Sequence, residues 1–269
     1  MHDDAIHTAI MGDVISLEPF PVDNGWAIFK ADGDSVTLYI NGWPSSQWSE
    51  SRPAELEFEY MNWMLAAAGA IFAPQDALRC LHLGAAACSL PRALTHLWPR
   101  SRHLAVEIDA KLAAAVRAQV PLPRAPVLRI RVADAAVTLH ARPPGSQDLI
   151  IRDVFDDRGQ TPESLTGPAA AAAASDALTP DGIYLANCGD QPGLPCSRHE
   201  IRDLAAAFRY VAVVAEPGQW RGRRRGNAVL LASNTPWTPK QERDLARRLA
   251  GGFPARLLAG PEALRWAGL

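Results

Sequence analysis

Leu78–Asp109 reads LRCLHLGAAACSLPRALTHLWPRSRHLAVEID, and this stretch decides the fold. Around Leu81 to Leu83 the apolar residues do not alternate with polar ones, which predicts a strand covered on both faces. Gly84, Ala85, Ala86 and Ala87 then make a turn of small residues through which a ligand can approach the backbone closely. A helix over 89–97 and a second strand over 103–108 follow, closing on Glu107 and Asp109. Glu107 lies about twenty residues beyond the turn, where the tip of a neighbouring parallel strand can offer a carboxylate to two ribose hydroxyls. Plain βαβ scaffolding has the same order of parts, and Glu107 and Asp109 suit a cap of the next helix equally well.

Downstream, the alternation continues. A helix is predicted over 110–119 and a strand over 127–132, followed by Asp134 and a loop. Asp148–Asp153 (DLIIRD) reads as the fourth strand, and the alanine-rich stretch 162–178 as a helix introduced by Thr161-Pro162. Pro180-Asp181-Gly182 turns the chain into a fifth strand, 183–187. A helix over about 199–208 and an antiparallel pair, 210–216 with 227–233, then close the domain. The fold class is therefore α/β: a Rossmann-like, seven-stranded, mostly parallel sheet with helices on both faces.

Upstream, Trp26–Lys30 and Val36–Ile40 flank Asp32-Gly33, a dipeptide suited to a tight hairpin turn. The Ser-, Trp- and Pro-rich residues 43–53 read as a connecting loop, and 54–70 carries apolar residues at helical spacing. Two units follow: 1–52, a small β module with its connection, and 53–269, the nucleotide-binding domain.

The chain has 269 residues, 48% hydrophobic and 21% charged, enough for one large core with a small accessory module. A net charge of −2 argues against nucleic acid as a partner. The one basic cluster, QWRGRRRG at 219–226, reads as an exposed turn. No apolar run reaches the roughly 18 residues of a membrane span. The acidic start, MHDDAIHTAIMGD, does not resemble a signal peptide, so the expected location is cytoplasmic. Four cysteines without a CxxC pair and seven scattered histidines give no legible disulfide or metal site.

LYING and LEFEY before the core, LHLGAAACSLPR at the first turn, VEID, VADA, DLIIRDVFDD, PESL and PDGIYLAN follow one another at intervals that together resemble the polyamine aminopropyltransferases, or spermidine synthases. These share the fold of the class I S-adenosylmethionine-dependent methyltransferases. The resemblance implies a sulfonium donor, S-adenosylmethionine or its decarboxylated form, and a small amine-type acceptor, with no metal and a homodimer formed through the N-terminal module.

Carried over position by position, it places Gly84, Ala85 and Ala86 against the donor's methionine-like tail, Glu107 at the ribose, Ile108 against the base, and Asp134 with Ala135 near the adenine amino group. Asp134 also suits an ordinary turn. Asp153 is implied as the acid that takes the proton of the attacking amine, with Tyr60 beside it. A primary amine with a pKa near 10 is protonated at neutral pH, so a carboxylate must draw off that proton before the lone pair can attack carbon. Tyr60 also suits plain core packing. Ser46 and Gln47 fall in the region of the substrate-side loop. Asp156 and Asp157 are placed to hold the cationic remainder of an acceptor, or else to sit in a solvated loop paired with Arg152 and Arg158.

Two departures stand out. Where the family carries an aspartate that fixes the donor's amino group, this chain has Ala87, and two neighbouring glycines have become Ala85 and Ala86. The serine pair after the catalytic acid is Val154-Phe155, and the residue after the tyrosine is Met61. An ammonium without a counter-charge is costly to bury, which opens two further readings: a methyltransferase or related enzyme with an unmodified methionine tail, and a catalytically silent binding protein on the same fold.

Overall fold

The computed structural model describes residues 18–156 and 158–269; residues 1–17 of the predicted first module, and Asp157, lie outside the described residues. Among the described residues four strands come first, β1 (Phe20–Val22), β2 (Gly25–Asp32), β3 (Ser35–Ile40) and β4 (Trp43–Ser49), each antiparallel to the next. The predicted hairpin is β2–β3, turning at Gly33 with φ +59°. The loop predicted over 43–53 is corrected: Trp43–Ser49 is a strand. Its small polar residues and Pro44 conceal it, and Pro44 lies opposite Tyr39 at a register shift, where the missing N–H is tolerated. The inner face of this sheet, Ala27, Phe29, Val36, Leu38 and Trp48, packs on Ala87, Leu112 and Val116 of the main domain.

Helix α1 (Glu59–Ile71) begins five residues later than its apolar spacing predicts. Then come β5 (Arg79–Leu83), α2 (Ser89–Leu97), β6 (Arg102–Glu107), α3 (Ala110–Gln119) and β7 (Leu128–Val132). The loop expected after Asp134 is instead a short helix, α4 (Ala135–His140). After β8 (Gln147–Arg152), a 3-10 turn at Glu163–Leu165 precedes α5 (Gly167–Ala177), so the predicted start at Thr161-Pro162 is corrected. Gly167 at φ +77° breaks the run, Thr166 is the N-cap, and Pro168 occupies the first turn.

The remaining elements are β9 (Leu178–Asp190), α6 (Pro195–Ala207), β10 (Tyr210–Ala215), α7 (Pro217–Trp220), β11 (Gly226–Ser233), α8 (Pro239–Arg248), β12 (Arg256–Ala259) and α9 (Pro261–Ala267). The main sheet has the order β12-β10-β11-β9-β8-β5-β6-β7. Its five strands from β9 to β7 are parallel, and β11, β10 and β12 continue it antiparallel. Eight strands stand where seven were predicted, because β12, only four residues long, is too short to show a pattern.

Both faces are covered, as the unbroken apolar strands require. Leu83, Ile150, Ala186 and Leu230 face α5 and α6, whereas Leu149, Ile151, Leu185 and Val229 face Trp63 and Met64 of α1 and Leu90 and Leu94 of α2. Strand order reverses at β5, which has β6 on one side and β8 on the other. Crossover connections leave in opposite directions there, opening a crevice at the carboxyl ends of the strands.

Candidate active site

At that crevice the turn after β5 is shaped by close approach. Gly84 has φ +89°, and a Cβ at this position would collide with the Asp153 carbonyl oxygen, so only glycine fits. Ala86 (φ +40°) and Cys88 (φ +61°) also occupy the left-handed region. The turn's N–H groups point at side chains. Ala86 N and Ala85 N donate to Glu107 Oε2 at 3.0 and 3.4 Å, and Ala87 N donates to Ser46 Oγ at 3.0 Å. Glu107 Oε1 accepts from Asp109 N at 3.1 Å. Burial pushes the Glu107 carboxyl above the usual range, against the pull of those backbone donors.

Ser46 and Gln47 are in strand β4, not in a loop. Both are buried, and Gln47 N donates to Ser89 Oγ at 3.0 Å, so the N-terminal sheet grips the turn from outside. Gln47 Nε2 donates to Ser35 Oγ at 3.0 Å, while its Oε1 is buried without a partner.

One strand over, Asp109 caps α3 through Leu112 N at 2.8 Å, and Asp134 caps α4 through Val137 N at 3.0 Å. Ala135 begins α4. Around them Ile108 (70% exposed), Val132 and Val137 (68% exposed) leave apolar surface open to water at the tips of β6 and β7. A groove of about 610 Å³ continues from Val137 between α4 and Glu163–Ala170.

On the other side of Gly84 lies Asp153, directly after β8. Asp153 N donates to Leu83 O at 2.8 Å, locking it to β5. Its carboxylate is held from two elements: Tyr60 Oη on α1 donates to Oδ2 at 2.8 Å, and Asn187 Nδ2 on β9 donates to Oδ1 at 3.0 Å. Partial burial raises the Asp153 pKa, partly offset by these two donors and by the Arg152 charge. Burial also holds the Tyr60 phenol well above its ordinary value, so Tyr60 is a donor here. The Asn187 Oδ1 atom is buried with no partner. Sequence reasoning passed over Asn187; its only signal is a polar residue at the mouth end of an apolar strand.

Phe155 lies over Gly189, and Asn227 Nδ2 donates to Glu59 Oε1 at 3.1 Å, so the surroundings of Asp153 mix apolar groups with an amide and a carboxylate. Asp156 is engaged within its own loop: Oδ1 accepts from Arg158 N and Gln160 N, both at 2.9 Å, and Oδ2 from the Arg158 guanidinium. The Gln160 amide, then Arg158, hold its carboxyl below the usual range. Arg152, read from the sequence as a partner for this loop, is instead buried against Glu200. Among the described residues no cluster of His, Cys, Asp and Glu could hold a metal ion, and no helix is long and apolar enough to cross a membrane.

Glu107, Asp134 and Asp153 thus close three neighbouring segments at one end of the sheet, with Gly84 between the first and the last. Among solved structures the chain is similar to a probable spermidine synthase from Corynebacterium glutamicum, with 36% identity over 94% of each chain and a TM-score of 0.88. It also resembles a spermidine synthase in complex with the transition state analogue AdoDATO (16% identity, 88% of this chain and 77% of that one, TM-score 0.58). Human methyltransferase-like protein 13 in complex with SAH shares the fold as well (23% identity, 71% and 92% covered, TM-score 0.56). No protein-family model matches the sequence, nor does any curated protein.

Proposed function

Given that this chain belongs to the spermidine synthase-like family, on the fold of the S-adenosylmethionine-dependent methyltransferases, we propose that it transfers an alkyl group from a sulfonium donor to a small amine. The observation that carries this is the Asp153 carboxylate, half-buried at the tip of β8 and aimed by Tyr60 and Asn187 beside the Gly84 turn. In the proposed step the amine nitrogen forms a bond to the donor carbon, the carbon–sulfur bond breaks, and the thioether leaves with the electron pair. The amine proton passes to Asp153. A carboxyl raised by burial is better matched to this task than a solvated one, and the unpartnered Asn187 Oδ1 can accept a second N–H of the nucleophile. Because the sulfonium is already a good electrophile, most of the acceleration is positional.

For the donor, the Glu107 carboxylate, which already accepts from three backbone amides, keeps a lone pair on Oε1 for a ribose hydroxyl, and Ile108, Val132 and Val137 offer apolar surface for a base, with Asp134 and Ala135 at its edge. The donor's tail is where a second reading arises. Ala87 is fully buried, its N–H is taken by Ser46, and no carboxylate stands in its place, so an aminopropyl ammonium lacks its counter-charge there. This favours unmodified S-adenosylmethionine and methyl transfer. Mass spectrometry separates the two: aminopropyl transfer releases methylthioadenosine, methyl transfer releases S-adenosylhomocysteine. If neither thioether forms from either donor across a panel of primary amines, the proposal fails.

We also propose self-association through the N-terminal sheet, on which Trp26 (60% exposed) and Trp43 (77% exposed) face water. Gln47 and Asp156 are retained as acceptor-side residues: Gln47 through its unpartnered Oε1, Asp156 through its hold on Arg158 and Gln160.

A further inference from the structure

Arg152 is a charged side chain with 0% exposure. Its guanidinium grips Glu200 of α6 with both Nη atoms: Nη1 pairs with Oε1, and Nη2 donates to Oε2 at 3.1 Å. The same two nitrogens also reach backbone carbonyls, Nη1 that of Leu165 at 3.0 Å and Nη2 that of Asn187 at 3.2 Å. One side chain therefore ties β8, the 3-10 turn, β9 and α6 together.

Stability alone does not account for such a pair. Two charges taken out of water recover their desolvation cost only with good geometry, and an apolar pair of similar volume generally serves the fold as well. What an apolar pair cannot do is hold two carbonyls in fixed directions. Those two carbonyls belong to segments that lead to Asp153: Asn187 is the residue whose side-chain amide holds Asp153 Oδ1, and Leu165 ends the 3-10 turn downstream of it. Asp153 itself is the next residue after Arg152.

We propose that the Arg152–Glu200 pair is the positioning device of the site, fixing the Asn187 and Leu165 backbones through their carbonyls and so setting how the acid beside Asn187 meets the acceptor amine. Neither residue touches the substrate. The inference rests on Asp153 being the proton acceptor of the proposed reaction, but its test does not depend on knowing the amine.

Two variants separate positioning from support. Arg152→Lys keeps the positive charge but offers a single ammonium in place of the planar fork, and cannot hold both carbonyls. The Arg152→Met/Glu200→Met double variant replaces the whole pair with apolar volume. Asp153 is faced by Tyr60 from α1, Asn187 from β9 and Arg152 from its own segment, so carbon-13 carboxyl NMR, assigned with Asp153→Asn, reads whether the Asn187 bond persists. In Arg152→Lys the Asp153 midpoint is expected to rise, as is also expected of Asn187→Ala, because a donor that favours the carboxylate is lost.

In the double variant, melting temperature is expected to recover most of the roughly 10 °C lost by Arg152→Met alone. Its kcat, on whichever amine the wild type uses, is expected to stay at least about ten-fold low, with the donor Kd unchanged. A wild-type Asp153 titration in Arg152→Lys, or full recovery of kcat together with stability in the double variant, would overturn the proposal. A wild type that alkylates no amine defeats the reaction assigned to the site, while the NMR titration still decides the positioning role.

Discussion

At the residue scale, the site depends on one acid whose environment opposes itself: burial raises its pKa while Tyr60 and Asn187 lower it. Asp153→Asn preserves shape and both neighbours but cannot take a proton. Turnover is expected to fall by about 10²–10⁴ with donor affinity unchanged, as measured by single-turnover kinetics and calorimetry. Tyr60→Phe removes a donor that favours the ionised carboxylate. Asp153 then titrates at higher pH, so the acidic limb of the kcat profile moves upward and activity is lost first at low pH. A limb that stays in place would dissociate Tyr60 from the acid. Gly84→Ala forces a side chain into the Asp153 carbonyl at a backbone conformation that alanine resists, so both stability and activity should drop. Glu107 was suggested by its distance from the turn and Asp153 and Tyr60 by the resemblance to the family, whereas nothing in the sequence pointed to Asn187 or to the buried partner of Arg152. An amide or a guanidinium at a strand end has no periodic signature, and its role appears only when another strand or helix supplies the partner.

At the scale of elements, β5 and β6 carry a buried histidine pair on diagonal positions, His82 opposite Ala105 and His103 opposite Cys80. His82 Nε2 and His103 Nδ1 are 3.1 Å apart with the rings stacked, and His103 Nε2 has no partner. Burial drives both pKa values down, that of His103 to about 4 and that of His82 well below its ordinary value. The folded state therefore binds fewer protons than the unfolded chain. The pair's contribution is fully present above pH 6.5 and is lost as pH falls from there toward 4, about 3 kcal/mol for His103 alone. Urea denaturation at pH 7.5, 6 and 5 should show the wild type losing stability faster than a His82→Leu/His103→Leu variant, and parallel curves would refute this. The same scale explains the sequence's misreadings. Strand β4 looked like a loop because it is read by what it pairs with rather than by its own alternation, and α4 is six residues long, too short for helical periodicity to emerge. In α5 the helical composition begins before the helix does, since Gly167 imposes the break.

At the scale of the molecule, the crevice is closed on one side by the N-terminal sheet, through Ser46 and Gln47 on the turn, and on the other by α1 and β9. A ligand seated there contacts both units, so S-adenosylmethionine or methylthioadenosine at 100 times its Kd should add about 2.7 kcal/mol to the folded state. The corresponding rise of melting temperature, roughly 5–10 °C, is readable by differential scanning fluorimetry. No shift with either compound or with the decarboxylated donor would favour a silent member of the fold. For the proposed self-association, light scattering of the wild type should give twice the chain mass, and Trp26→Ser/Trp43→Ser should reduce it. A monomeric wild type would remove that proposal.

The sequence by itself determined the layered α/β sheet, the glycine at the close approach and the order of the three acids. Unbroken apolar runs, small turns and strand-end carboxylates are local properties that survive in one dimension. Only the tertiary structure decided that Asp109 and Asp134 serve as caps, that Asp156 is turned into its own loop, and that Arg152 lies buried against Glu200 behind the site. The caps and the Asp156 contacts join residues within four positions of one another and depend on where each helix or turn begins, whereas Arg152 finds in Glu200 a partner 48 positions away that only folding brings to about 3 Å.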